Sequence, residues 1–282
     1  MNEQISEKYL SLKSIINRYD SAVVAFSGGI DSSLVAYVAG EVLGNNALAV
    51  TSGSASLKRS DLQLAETLGK DWNLSHEIIV TDELSKPDYR RNPIDRCFHC
   101  KTSLYTSLHV ICKERGIDVI FNGTNLDDLG DHRPGLMAAD NYQVCSPLVE
   151  AGFHKSDVRQ LANALGLKNA NKPQSACLSS RFPYGTSIDE QLLSQVEQAE
   201  TVLESLGFTQ FRVRHHGDLA RIEVTEKELE KAMDHRLHIN EALGNLGYRY
   251  ITLDMIGFRS GSLNEGLKKE QIQVVNIHNP EN

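Results

Sequence analysis

The sequence predicts an α/β protein, with a parallel sheet in its first part and a smaller α+β domain behind it. Three observations predict this. Apolar, strand-like runs alternate with helix-like segments as far as Leu165. Turns rich in glycine and hydroxyl side chains follow those runs. Beyond Tyr184 the order changes to helix, two adjacent strands, helix and strand. Strands that alternate with helices pair in parallel and are covered on both faces. A chain of 282 residues buries a core without covalent staples.

In order, strands are expected at 22–26, 47–51, 76–80, 117–122 and 143–147, and helices at 33–43, 60–70, 101–115 and 155–165. The second part reads as a helix over 189–206, capped by Asp189 or Ser187 and stopped by Gly207. Residues 211–216 and 220–225 read as a hairpin across Gly217-Asp218, 226–246 as helix and 248–254 as a third strand. The expected domains are therefore 1–183 and 184–282, with frayed ends at 279–282.

The net charge of −8 argues against a general nucleic-acid binder. No apolar run spans a membrane, and the polar start Met1-Asn2-Glu3-Gln4 shows no signal peptide, so a cytoplasmic protein is expected. Five cysteines, an odd number, argue against a disulfide framework.

The most informative stretch is Ser27-Gly28-Gly29-Ile30-Asp31-Ser32, between the first strand and its helix. Glycines let backbone N–H groups approach an anion, and the helix N-terminus adds partial positive charge. Ser27, Ser32 and Ser33 add hydroxyls. Asp31 suits a phosphate site only if a cation such as Mg²⁺ lies between them. Thr51-Ser52-Gly53 and Gly123-Thr124-Asn125 follow the second and fourth strands, at the sheet end where ligands bind. An ordinary strand–turn–helix is the alternative. The stretch resembles the SGGxDS signature of the PP-loop ATP pyrophosphatases, which grip the pyrophosphate end of ATP and transfer AMP to a substrate oxygen. No Gly-x-x-x-x-Gly-Lys-Ser/Thr loop occurs.

Cys97-Phe98-His99-Cys100 is read as a loop before a helix. Such a pair suits redox chemistry, half a zinc site or part of an iron–sulfur site. Cys177 is a third ligand if the fold returns it, and three thiolates suit a [4Fe–4S] cluster with one open iron. Three unrelated cysteines are the alternative. Lys172, Arg181 and several hydroxyls surround Cys177 in sequence and favour its thiolate. Cys112 and Cys145 read as inert. Arg212 and Arg214 alternate onto one strand face and suit a phosphate, or else a solvated face. Glu200 and Glu223 read as paired carboxylates or as surface residues. Asp127-Asp128 and Asp131-His132-Arg133 read as a magnesium or ATP contact or as a solvated turn.

Together these residues resemble the LarE family, sulfur transferases that build the nickel-pincer cofactor of lactate racemase. The likeness covers nearly the whole chain. Its specific segments are Arg133-Pro134-Gly135-Leu136, Ser179-Ser180-Arg181-Phe182-Pro183-Tyr184-Gly185-Thr186, Arg212-Val213-Arg214, Ala220-Arg221-Ile222-Glu223 and Gly257-Phe258-Arg259-Ser260-Gly261. The resemblance implies a substrate, pyridinium-3,5-biscarboxylic acid mononucleotide, whose carboxylates are adenylated and converted to thiocarboxylates. It implies ATP contacts from Ser27, Gly28, Gly29, Asp31, Ser32, Ser52, Gly123 and Thr124, and a substrate-phosphate site at Arg181, Arg212 and Arg214. Catalytic roles fall to Asp31, Cys177 and Lys101, the last pairing with a phosphate or the acyl-adenylate. Glu200 and Glu223 match positions that bind a divalent cation, although Lys231 stands where some members carry an acid. Members with Cys97 and Cys100 hold a [4Fe–4S] cluster with Cys177, and an extra sulfide on the open iron is the sulfur transferred. Members with the third cysteine alone sacrifice its sulfur. A PP-loop tRNA thiolase is the competing expectation. The resemblance also implies ATP, Mg²⁺, a sulfide source or sulfur-donating protein, and a homo-oligomer, by likeness a hexamer.

Overall fold

The computed structural model describes residues 1–129, 134–173, 175–259 and 261–264. In chain order its elements are α1 (Glu3–Ile16), β1 (Ala22–Ala25), α2 (Ile30–Leu43), β2 (Ala47–Ser52), α3 (Arg59–Asp71), β3 (Ser75–Ile79), α4 (Pro87–Arg90), α5 (Arg96–Arg115) and β4 (Val119–Phe121). There follow α6 (Leu126–Leu129), α7 (Pro134–Asn141), α8 (Pro147–Glu150), α9 (Lys155–Ala164), α10 (Glu190–Ser205), β5 (Phe211–His216), β6 (Leu219–Val224), α11 (Leu229–Asp234), α12 (Arg236–Asn245) and β7 (Tyr250–Leu253). The chain divides into two units. The first holds Met1–Glu83 and Asp95–Ser175; the second holds Leu84–Ile94 and the chain from Ala176.

In the first unit four parallel strands lie in the order β3-β2-β1-β4. β1 is apolar at every position because both of its faces are covered. Ala22 and Val24 point into a core with Leu34, Val38, Leu161 and Phe153, while Val23 and Ala25 point into a second core with Tyr105 and Leu108. The chain steps from β1 out to β3 and then returns to β1's other side as β4. That reversal makes the carboxyl end of β1 the switch point of the sheet, the place where open α/β sheets bind their ligands.

Helix α1 was not anticipated. Asn2 caps it through Oδ1 accepting from Ile5 N (2.9 Å), and Ile5, Leu12, Ile15 and Ile16 bury one side. The fifth strand expected at 143–147 shrinks to one bridge, Phe121 to Cys145. Pro147, with no N–H and a fixed φ, starts α8 and ends the extended run.

In the second unit β5 and β6 pair antiparallel around Gly217-Asp218, as expected, and β7 joins β6 in parallel. Asp189 caps α10, accepting from Leu192 N at 2.8 Å. The helix expected over 226–246 is three pieces, a 3-10 turn followed by α11 and α12, broken at His235. The boundary expected at 183/184 lies earlier in the structure, at Ala176, and the second unit also recruits 84–94. Hydrogen bonds explain the shift: Asn92 Nδ2 donates to Pro183 O (2.8 Å), Gly185 N donates to Asn92 O (2.9 Å) and the Tyr89 and Ser179 hydroxyls meet at 2.6 Å.

Candidate active site

The loop after β1 closes on itself. Ser32 Oγ lies 3.1 Å from Ser27 Oγ and donates to Gly29 O at 3.1 Å, while Ser27 N donates to it at 3.2 Å. Gly28 takes φ +70°, and a Cβ there would stand 3.3 Å from the backbone of Asp61 and Ala65. A Cβ on Gly123 would stand 2.5 Å from Ser32 N, so only glycine lets the β4 loop lie against the start of α2. Gly29, the N-cap of α2, supplies no side-chain acceptor. The first amide groups of this 14-residue helix therefore have no side-chain cap, and helix N-termini of that kind bind anions.

Buried side chains brace this loop. Asn169 Nδ2 donates to Gly28 O (3.0 Å) and to Ser33 Oγ (2.8 Å), so the Ser33 hydroxyl turns inward and away from the crevice. Thr51 Oγ1 gives its proton to Phe26 O (2.7 Å), which leaves His76 Nε2 to donate to Thr51 at 2.8 Å. Burial pushes the His76 imidazole below its usual value. Ser52 and Thr81 join the ends of neighbouring strands at 2.7 Å.

Asp31 sits in the first turn of α2. Its carboxylate accepts from Asn125 Nδ2 (3.1 Å) and forms an ion pair with Lys155. Asp127 holds this corner, accepting from Lys155 N (2.7 Å) and pairing with His154 Nδ1 (2.6 Å). His154 and the Lys155 amide hold its carboxyl below the usual range. Asp127 thus positions the lysine. Residues 131–133, expected to share its role, lie outside the described residues, as do Gln174 and Ser260.

Cys97 and Cys100 are the second and fifth residues of α5, not part of a loop before it, because the helix already begins at Arg96, directly after its N-cap Asp95. Their i,i+3 spacing turns both side chains to one side of the helix. The Lys101 ammonium is held above the ordinary lysine value by Tyr105, against burial, with help from Cys100 and Cys97. All five cysteines are thiols. Among the described residues no three His, Cys, Asp or Glu side chains cluster to hold a metal ion.

In the second unit Arg181 is fully buried. Nε and Nη2 meet Glu200 at 2.8 and 3.0 Å, and Nη1 donates to Ala176 O, Cys177 O and Ser180 Oγ. Arg214 repeats the pattern with Glu223 (3.1 and 2.9 Å) and donates to Ser180 O and Ser262 Oγ. Glu200 also accepts from Val213 N, and Glu223 from Arg221. Each carboxylate is occupied by arginine, so the donor set does not fit the divalent cation expected at Glu200 and Glu223. Lys231, on α11, donates to Gly207 O at 2.7 Å. Arg212 differs from the other two arginines. It is half-buried, stacks 5.0 Å from the Phe258 ring and donates to Phe211 O. Burial, and then Arg181 and Arg214, bring its guanidinium down to about 10. A partly desolvated cation beside two other cations suits an anion.

A protein of Lactiplantibacillus plantarum, pyridinium-3,5-bisthiocarboxylic acid mononucleotide synthase, is 39% identical over 95% of this chain and 98% of its own length. The chain belongs to that protein's family, the LarE family. An uncharacterized protein of Synechocystis is 40% identical over 94% of this chain and all of its own. A second, of Methanocaldococcus jannaschii, is 28% identical over 84% of this chain and 90% of its own. A family model described as NAD synthase matches residues 4–87, a stretch that contains the Ser27–Ser32 loop. This LarE-family chain is accordingly an ATP-dependent enzyme of PP-loop type, and no helix among its described residues is long and apolar enough to cross a membrane.

Within the first unit the fold gathers Ser27, Gly28, Gly29, Asp31, Ser32 and Gly123 at the switch point. Within the second it gathers Arg181, Arg212, Arg214, Glu200 and Glu223. Sequence reading placed Asn125 in the motif after the fourth strand without giving it a role, and missed Lys155 and Asn169. Lys155 carried a signal: a lysine opening a predicted helix stands at the end where a cation is disfavoured. Asn169 carried none.

Proposed function

We propose that this chain adenylates a carboxylate of pyridinium-3,5-biscarboxylic acid mononucleotide and converts it to a thiocarboxylate. A carboxylate oxygen attacks the α-phosphorus of ATP and pyrophosphate leaves. Sulfide sulfur then attacks the acyl carbon and AMP leaves, and the second carboxylate follows. The step is needed because a bare carboxylate is a poor electrophile with a poor leaving group.

The loop and the α2 amides, with Ser52, Gly123 and Thr124 at the neighbouring strand ends, hold the pyrophosphate end of ATP. Asp31 would hold a Mg²⁺ ion, which would supply positive charge to the phosphates. Arg212 takes the substrate phosphate, and Arg181 and Arg214 build its surroundings while their own charges are matched by Glu200 and Glu223. Lys101 faces a phosphate or the acyl-adenylate. Cys97, Cys100 and Cys177 would ligate a [4Fe–4S] cluster, and such a cluster with three protein ligands leaves an iron open to an extra sulfide for transfer. Thiolate donors suit iron, and the Cys97–Cys100 pair already shares one helix side.

The observation that carries the reading is Arg212, a half-buried cation among arginines, in a chain 39% identical over 95% of its length to the Lactiplantibacillus plantarum enzyme. The test is pyrophosphate release with ATP and the bis-carboxylate mononucleotide, alongside iron and acid-labile sulfide analysis of protein handled without oxygen. Release that depends on the mononucleotide supports adenylation; its absence overturns it. Iron and labile sulfide at about four each per chain support the cluster. Iron-free protein that cannot be reconstituted, with Cys177 short of its sulfur after turnover, assigns the sulfur to Cys177 instead.

A further inference from the structure

The sheet of the second unit has one undefended edge. β7 pairs with β6 on one side, and among the described residues nothing pairs with its other side. Tyr250 N and Asp254 N donate inward, to Asp218 O (3.0 Å) and Ile222 O (2.8 Å), so the alternation of the strand turns the N–H groups of Ile251 and Leu253 outward. Proteins blunt such edges with charge, proline or a bulge. Tyr250-Ile251-Thr252-Leu253 has neither charge nor proline, and its register with β6 is unbroken.

The core beside this edge is open as well. The Ile251 and Leu253 side chains pack against it and are only half-buried. Between them and α11 and α12 runs a groove of about 330 Å³, lined in part by Ala232, Met233, Leu237 and Ile239. Met233 is 53% exposed, Leu237 75% and Tyr250 55%. The sheet is one strand short of covering this core.

The chain holds a segment of matching chemistry. Residues 265–282 follow Asn264 and lie outside the described residues. Within them, Gln271-Ile272-Gln273-Val274-Val275-Asn276-Ile277 carries four β-branched apolar residues and no charge, glycine or proline. Ile272 and Val274 alternate with two glutamines, the pattern of a half-buried strand. Left unpaired, such a stretch is an aggregation hazard. The tether is long enough. Ser262 is held beside β6, accepting from Arg214 Nη2 (2.7 Å) and donating to Glu223 Oε1 (3.4 Å). A place outside β7 is two strand spacings from β6, about 10 Å. Residues 265–270 span about 20 Å when extended.

We propose that residues 271–277 add a fourth strand to the outer edge of β7 in the same molecule, with Ile272 and Val274 filling the groove. The main chain of Ile251 and Leu253 supplies the hydrogen bonds, and the groove sets the register, because a one-residue slip would bring Gln273 into it. The occupant is the chain's own segment because so short a tether holds it at an effective concentration on the order of millimolar, which a second copy does not match.

Amide hydrogen exchange read residue by residue tests this on the full chain, on a chain ended after Glu270 and on Val274→Asp. The Ile251 and Leu253 amides should exchange about tenfold or more slowly in the full chain than in the other two. A peptide of residues 269–279 added to the shortened chain should restore that protection. Equal exchange in all three proteins overturns the proposal. Protection in the full chain that is lost on about a hundredfold dilution assigns the edge to a second copy and overturns it too. If the shortened chain and Val274→Asp do not fold, the full chain decides the matter by itself. Ile251 and Leu253 amides that exchange as fast as exposed ones overturn the proposal, and slow exchange that survives dilution upholds it.

Discussion

The Arg181 guanidinium meets the Glu200 carboxylate edge to edge, at 2.8 and 3.0 Å, with both side chains out of solvent. The remaining nitrogen of that guanidinium holds the Ala176 and Cys177 carbonyls. One buried ion pair therefore fixes the backbone that carries Cys177. Glu200→Ala leaves a buried guanidinium unmatched and should destabilise the second unit by about 3–5 kcal/mol. Chemical denaturation checks this, and a loss under about 1 kcal/mol would mean that the buried pair contributes no more than an exposed one.

Arg212→Ala should behave in the opposite way. Its charge is disfavoured by burial and by two neighbouring arginines, so folding stability should be unchanged or slightly higher. The KM for the mononucleotide should rise by the equivalent of about 1.5–3 kcal/mol, the value of a hydrogen bond to a charged group. With its guanidinium at about 10, binding should also fade as the pH rises through that value. Steady-state kinetics would read an unchanged KM as evidence that the phosphate sits elsewhere.

Asn169 tethers the nucleotide loop from beneath, through Gly28 O and Ser33 Oγ. Asn169→Ala removes both bonds and leaves buried acceptors unmet, at a cost of about 1–3 kcal/mol. Because the tether ends on the loop, ATP affinity should fall along with the melting temperature. A variant with lower stability and wild-type ATP affinity would show that the loop holds its shape without it.

His76, His215 and His216 are all pushed below the usual imidazole value of 6.5, chiefly by burial. A depressed folded value means that the unfolded chain binds protons first as the pH falls. The stability these groups contribute is complete above 6.5 and drains away as the pH drops through their folded values. The melting temperature should therefore decline between about pH 7.5 and about pH 5.5. A flat profile there would mean that the three rings accept a proton without strain in the fold.

Cys97→Ser, reconstituted without oxygen, should lose the brown colour and most of the iron if Cys97, Cys100 and Cys177 share a cluster. Cys112→Ser should keep both, since Cys112 is buried with an apolar core, where burial pushes its thiol up. Iron retained in the Cys97 variant would remove that residue from the ligand set.

Much of this molecule was legible in the chain itself. The unbroken apolar run of β1, the glycines and hydroxyls of the loop, the Asp189 cap and the Gly217-Asp218 hairpin follow from local sterics, hydrogen bonding and patterning, which act over a few residues. The sequence determined these, and the family with them, because the motifs are contiguous. Tertiary structure decided what depends on distant partners. Asp31 meets Lys155 and Asn125 across the sheet's switch point, and Glu200 and Glu223 are claimed by Arg181 and Arg214. Residues 84–94 join the second unit through Asn92 and Tyr89. A carboxylate is the same residue in sequence whether it awaits a metal ion or a guanidinium. Only packing, which brings one partner near and desolvates the pair, determines which of the two it meets.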